Sequence, residues 1–179
     1  MAACLPTWML SGESINTQGI TKLQANLHRY LMQAEFVQPI LCIADTDHQC
    51  PVALLDKWLP GGGHPNLLLR FAVSEAESWL LADRHATSDF FGVALKHLPS
   101  QPEVEPDAKR TVLSLARRSS RRELRQEMVS ATDITKPGSG YNLHMRRLAA
   151  ERWRPSDAAQ NSVSLRRALE RISALTASD

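Results

Sequence analysis

The sequence predicts an α/β protein in which a small parallel sheet is flanked by helices and followed by a C-terminal helical extension. Two short apolar runs, Pro39–Ala44 and Leu67–Val73, have the nearly continuous hydrophobic pattern of strands buried on both faces. Helical patterns precede, separate and follow these runs, which is typical of parallel strands joined by helical crossovers. After Asp89 the composition changes to Arg-rich helical segments, and these predict the extension.

Apolar residues at helical spacing predict the helices around the strands. The first helix covers Thr21–Phe36 and stops before Pro39, because proline breaks a helix. Pro51 is suited to the first position of the second helix, which ends before Pro60 and a glycine-rich loop. Further helices are predicted over Glu75–Ala82, Ala108–Ala116, Ser120–Val129, Asn142–Glu151 and Ser164–Leu175.

The charge distribution suggests three parts: a poorly defined segment 1–19, an α/β core 20–100, and a basic helical extension 101–179 packed on the core. Residues 1–100 carry six Lys/Arg and nine Asp/Glu, whereas residues 101–179 carry fifteen and ten. A proline-rich, linker-like stretch at 98–106 separates the two. An acidic part beside a basic part fits a metal site next to a surface for a polyanion, and it equally fits ordinary solvated helices.

The composition excludes several classes of protein. No apolar run approaches the roughly 18 residues that span a bilayer, and the first ten residues lack the pattern of a secretory signal. The 3 cysteines are an odd number without metal-type spacing, which predicts reduced thiols. We therefore expect a cytoplasmic protein without a membrane partner.

Four acidic residues follow the two predicted strands: Asp45, Asp47, Glu75 and Glu77. In extended backbone, residues two apart point the same way, so Asp45 and Asp47 are expected to face one crevice. Ligands of open α/β sheets bind outside the carboxyl ends of strands, where Glu75 also leaves the second strand. Converging carboxylates repel one another, and Mg²⁺ or Mn²⁺ would relieve that repulsion and activate a bound water.

Ordinary structural roles remain open for the same residues. Asp47 could accept backbone N–H groups in the turn before Pro51. Ser74 and Glu77 have the spacing of a capping box, and Glu75 in a first turn would favour the helix dipole. His48 could be a proton shuttle, or simply a turn residue.

The extension begins with a concentration of basic residues that could neutralise phosphates. Arg118, Arg122 and Arg125 share a face if one helix continues through Ser119 and Ser120. The alternative is a solvated surface partly paired with glutamates at 123 and 127, and Trp153 and Tyr141 could stack on bases or lie in the core. The predicted nucleic-acid contacts are Lys109, Arg117, Arg118, Arg121, Arg122 and Arg125.

Two motifs carry a resemblance to a known family. The stretches ILCIADTDH at 40–48 and LRFAVSEAESWLLAD at 69–83 resemble a family of uncharacterised bacterial TOPRIM-like proteins, and segments at 106–109, 115–118, 121–125 and 161–165 are similar too. The resemblance implies a Rossmann-like TOPRIM fold, as in topoisomerases, primases and OLD-type nucleases. It implies Asp45 and Asp47 as ligands of a catalytic Mg²⁺, and Glu75 as a further ligand or general base.

One departure from the family pattern bears on activity. TOPRIM sequences usually begin with a strand that ends in glutamate, whereas only Glu13 occurs within residues 1–19. We therefore expect this strand and its carboxylate to be missing. The leading hypothesis is a Mg²⁺-dependent, nuclease-like enzyme of nucleic-acid phosphodiester chemistry, with defence against foreign DNA as its expected role. The alternative is a non-catalytic module that binds nucleic acid or a protein partner and keeps a degenerate site.

Overall fold

The computed structural model describes residues 14–17 and 19–175 of a mixed α/β chain. The chain divides into two compact units: a first unit of residues 1–73 and 167–179, and a second unit of residues 74–166. The division therefore falls after Val73, whereas the sequence analysis placed it after residue 100. Glu13 and most of the segment 1–19 lie outside the described residues.

The first unit contains the sheet. Strands β1 (Ile40–Asp45) and β2 (Leu67–Ala72) are parallel and in continuous register, from Ile40 opposite Leu67 to Asp45 opposite Ala72. Helix α1 (Ile20–Phe36) precedes β1, and helix α2 (Pro51–Trp58) lies between the strands in sequence. The predicted parallel pair with a helical crossover is confirmed, and Pro51 does occupy the first turn of α2.

One face of the sheet forms the core of the first unit. The core is built by β1, β2, α1 and α2 from Leu23, Leu27, Ala34, Cys42, Ala44, Leu54, Trp58, Leu67, Leu69 and Phe71. β2 is buried at five of its six positions, whereas Ile43 in β1 is 38% exposed. The expectation that both strands are buried on both faces is therefore wrong for β1.

The second unit is helical. Its helices are α3 (Ala76–Ala82), α4 (Arg84–Phe91), α5 (Ala108–Arg118), α6 (Arg122–Glu127), α7 (Tyr141–Glu151) and α8 (Pro155–Ala158), with single 3₁₀ turns at Leu95–His97 and Pro102–Val104. Helix α9 (Val163–Ser173) begins in this unit, and its residues from Arg167 onward belong to the first. No helix among residues 14–17 and 19–175 is long and apolar enough to cross a membrane.

The second unit differs from the sequence-based expectation in two features. Leu98 and Pro102 are buried, so the proline-rich stretch at 98–106 is part of a packed unit and not a linker. Helix α4 was not predicted; it begins because the Asp83 side chain caps it by accepting from Ala86 N at 3.0 Å. It ends at Gly92, whose φ of 59° is the left-handed conformation that glycine adopts without strain.

Candidate functional site

The two aspartates of the predicted metal site have different backbone conformations. Asp45 closes β1 and is half-buried opposite Ala72. The chain then turns sharply, with φ of 46° at Asp47 and 64° at His48, and Gln49 N donates to Thr46 O at 2.9 Å. The expectation that the backbone stays extended through Asp47 is wrong, because Asp47 lies in a left-handed turn.

The turn leaves the Asp47 carboxylate exposed to solvent. Aspartate is one of the few residues that tolerate the left-handed region, so the backbone conformation of the turn is enough to explain an aspartate at position 47. No hydrogen bond or ion pair joins this carboxylate to any residue that the structure describes. The alternative in which Asp47 accepts backbone N–H groups of the turn is therefore also wrong, and the group is available to a ligand.

The start of α3 differs from the predicted capping box. Ser74 is left-handed, with φ of 64°, and the residue that caps the helix is Glu75, in extended conformation. Glu75 makes no side-chain cap bond to α3. Instead its carbonyl accepts from Ser78 Oγ at 2.7 Å and from Ser78 N at 3.0 Å. The capping role predicted for Ser74 and Glu77 is wrong, so the Glu77 carboxylate needs another explanation.

Glu75 serves a different helix, α5. Its Oε2 accepts from Lys109 N at 2.8 Å, and Asp107 Oδ1 accepts from Arg110 N at 2.6 Å. The first N–H groups of a helix have no partner within the helix, and a negative charge beside them is favourable. Glu75 therefore completes the cap of α5 from a position 34 residues earlier in the chain.

Glu77 has two partners. Its Oε1 accepts from Tyr141 Oη at 2.9 Å and lies 3.7 Å from Lys109 Nζ. The same ammonium lies 4.0 Å from Glu75 Oε1. We call Glu75, Glu77, Lys109 and Tyr141 the glutamate cluster. Its carboxylates are largely buried, since the exposed fraction of the side chain is 23% for Glu75 and 13% for Glu77.

The electrostatics of the cluster fix the protonation state of its tyrosine. Burial raises the pKa of Tyr141 far above its usual range, and the negative charges of Glu77, Glu75 and Asp107 raise it further. Tyr141 therefore keeps its proton and acts as a hydrogen-bond donor to Glu77. Sequence reasoning left this residue open between base stacking and the core; at 4% exposure it belongs to the core.

The remaining residues of the motif at 75–83 hold α3 in the second unit. Trp79 Nε1 donates to Ser164 Oγ at 2.7 Å, and Trp79 O accepts from Trp153 Nε1 at 2.9 Å. Asp83, 2% exposed, also accepts from Arg154 N at 2.9 Å. Most of the motif that carries the family resemblance thus has a structural function in this chain, as an organising element of the helical unit.

The basic segment is interrupted by a break between helices. α5 ends at Arg118, and the following residue, Ser119, has φ of −56° and ψ of 138°, so the expected continuous helix through Ser119 and Ser120 is wrong. Arg125 donates to Ser119 O, and Arg121 donates to Asp89 O at 3.1 Å with its guanidinium 6.0 Å from the centre of the Phe90 ring. These two arginines therefore tie the helices together.

Three of the five arginines predicted to contact nucleic acid remain unengaged. The side chains of Arg117, Arg118 and Arg122 are exposed and form no hydrogen bond or ion pair with the described part of the chain. The glutamates expected to neutralise this segment pair elsewhere: Glu123 with Arg147 at 3.6 Å, and Glu127 with the imidazole of His144 at 2.8 Å. We call Arg117, Arg118 and Arg122 the basic surface. Lys109, also predicted to contact nucleic acid, is held in the glutamate cluster.

The predicted metal ligands are divided between the two units. Asp45 and Asp47 belong to the first unit, and Glu75 belongs to the second. Within residues 14–17 and 19–175, no three or more His, Cys, Asp or Glu side chains lie together in a way that could hold a metal ion.

Comparisons with known proteins add no relative to this picture. No family model matches the chain, and searches of curated proteins and of solved structures found no match. The TOPRIM-like assignment therefore stays a prediction from the motifs at 40–48 and 69–83.

Proposed function

We propose that this protein is a TOPRIM-like module that binds the phosphate backbone of nucleic acid through the basic surface. The observation that carries the proposal is that Arg117, Arg118 and Arg122 are exposed and unpaired within the described residues, although glutamates are close in sequence. Arginine remains charged at every physiological pH and matches phosphate oxygens in a bidentate geometry. Three such groups within six residues favour a polyanion over a single small anion.

The charge arrangement supports phosphate contact more than base recognition. The aromatic residues that were candidates for stacking are engaged elsewhere: Tyr141 is buried, and Trp153 donates to a carbonyl of α3. Contacts to phosphate position a protein on nucleic acid without reading its sequence. We therefore expect binding that depends steeply on salt and weakly on base sequence.

A binding titration tests this proposal. Fluorescently labelled single-stranded DNA, duplex DNA and RNA of one length are titrated at low salt and followed by anisotropy. The variant R117Q/R118Q/R122Q is expected to bind all of them more weakly. The matched control is R147Q, because Arg147 is also exposed but pairs with Glu123 and Glu151. Absence of binding by the unmodified protein at low salt overturns the proposal and favours a module that binds only a protein partner.

A second candidate function is Mg²⁺-dependent phosphodiester chemistry of the nuclease type, with a proposed role in defence against foreign DNA. Asp45 favours it, because this carboxylate ends a parallel strand at the edge where open α/β sheets bind ligands. The exposed Asp47 follows two residues later. A Mg²⁺ or Mn²⁺ ion held there would bind phosphate and lower the pKa of a bound water. Glu75 has a smaller part in this proposal than the family resemblance implies, because α5 already uses its carboxylate.

Calorimetric titration with Mg²⁺ and Mn²⁺ tests the second candidate. The unmodified protein should release more heat than D45N/D47N, and it should cleave DNA or RNA only when the metal is present. Equal heats for the two proteins, with no cleavage, contradict the enzymatic proposal. Nucleic-acid binding would stand in that case, and the protein would be a non-catalytic module with a degenerate site.

A further inference from the structure

We infer that the ammonium group of Lys109 is the counter-ion of the Glu75 and Glu77 carboxylates, and that it prevents this pair from binding divalent metal ions. Lys109 would thus hold the two carboxylates in place. It would neither contact nucleic acid nor belong to a metal-dependent centre. The inference concerns the second unit alone. It does not depend on nucleic-acid binding or on a metal ion at Asp45 and Asp47.

The geometry places one cation against both carboxylates. Lys109 Nζ lies 3.7 Å from Glu77 Oε1 and 4.0 Å from Glu75 Oε1. The lysine is also fixed through its main chain, because Lys109 N donates to Glu75 Oε2 at 2.8 Å. A side chain whose own backbone is bonded to one of its two acceptors has less freedom to leave them than a lysine on an open helix face.

Burial explains why this pair needs a counter-ion. The Glu75 and Glu77 side chains are 23% and 13% exposed and lie two positions apart in the chain, so water screens their mutual repulsion only partly. The Tyr141 hydroxyl stabilises Glu77 as a donor but brings no positive charge. Lys109 supplies the charge that a metal ion would otherwise have to supply.

Removing the ammonium should expose a set of oxygen ligands. Without Lys109 Nζ, the carboxylates of Glu75 and Glu77 remain around the vacated position. Hard divalent cations prefer such oxygen groups. A methionine at position 109 keeps an unbranched side chain up to Cε, removes the ammonium, and leaves the backbone bond to Glu75 in place. The K109M variant is therefore expected to gain a response to Mn²⁺ that the native lysine prevents.

The test measures thermal unfolding with and without Mn²⁺, in chains that all carry D45N and D47N so that a metal at those aspartates does not contribute. Three of these chains carry lysine, methionine or arginine at position 109. A fourth chain combines K109M with E77Q. K136M is the matched control, because Lys136 is an exposed lysine that pairs with Asp133 alone at 3.3 Å. Saturating Mn²⁺ should raise the melting temperature of the K109M chain by about 4 °C, and by less than about 1 °C in the others.

Two outcomes overturn the inference. One is a Mn²⁺ response in the chain with Lys109 that E75Q/E77Q abolishes, because the pair would then accept a metal beside the ammonium. The other is a K109M chain that folds and shows no greater response than K136M. If K109M does not fold, the Lys109 chain and its E75Q/E77Q variant are instead titrated with Mn²⁺ in a calorimeter. Equal heats of binding support the inference, and a larger heat for the Lys109 chain overturns it.

Discussion

Replacing Tyr141 by phenylalanine removes a single hydrogen bond and leaves the buried ring in place. The lost bond runs from the hydroxyl to Glu77 Oε1 at 2.9 Å, with the tyrosine 4% exposed. A hydrogen bond to a charged acceptor contributes about 1.5–3 kcal/mol. Lys109 Nζ stays within 3.7 Å of the same oxygen, so the acceptor keeps a partner and the cost falls at the lower end, about 2 kcal/mol.

Urea unfolding followed by circular dichroism measures this cost. For a slope of about 2 kcal/mol per molar urea, the midpoint of Y141F should fall by about 1 M. The matched control is Y30F, because Tyr30 is the other tyrosine of the chain and its hydroxyl forms no hydrogen bond with the described residues. A Y141F midpoint that falls no further than the Y30F midpoint refutes the role assigned to the Tyr141–Glu77 bond.

Two further predictions concern packing and pH. G138A should destabilise the protein by about 2 kcal/mol in urea unfolding, because its Cβ would lie 2.3 Å from the carbonyl oxygen of Glu127. The control G61A should be nearly neutral, since a Cβ at that position would have nothing within 4 Å. Burial raises the pKa of Cys42 from 9.0 to about 11. The stability that this thiol contributes is complete below pH 9 and is lost as the pH rises towards 11, because the unfolded chain ionises first. C42A should therefore lose less stability than the native chain between pH 8.5 and 11; equal losses would contradict the assignment.

The local patterns of the sequence predicted those elements whose cause is local. The apolar runs at 39–44 and 67–73 became the parallel pair, because short, nearly continuous apolar runs between helical segments are typical of strands in a parallel sheet. Pro51 marked the start of α2 through its fixed φ and missing N–H. The helices at 108–116 and 142–151 were located to within two residues at each end.

The candidate site was less predictable because its contacts are distant in sequence. Glu75 meets Lys109 across 34 positions, and Glu77 meets Tyr141 across 64. Spacing within one segment suggested a capping box there, since nothing local distinguishes a capping glutamate from one that binds another helix. Asp47 was assigned to an extended strand because the sequence does not show where the strand gives way to a left-handed turn.

The salt dependence of nucleic-acid binding tests the central claim most directly. Each phosphate neutralised on duplex DNA contributes about 0.9 to the slope of log K against log salt, so removing Arg117, Arg118 and Arg122 should reduce the slope by about 2.7. Between 50 and 200 mM salt the unmodified protein would then lose about 40-fold more affinity than R117Q/R118Q/R122Q. We expect this reduced slope for R117Q/R118Q/R122Q together with an unchanged slope for R147Q. Equal slopes for all three proteins would contradict it.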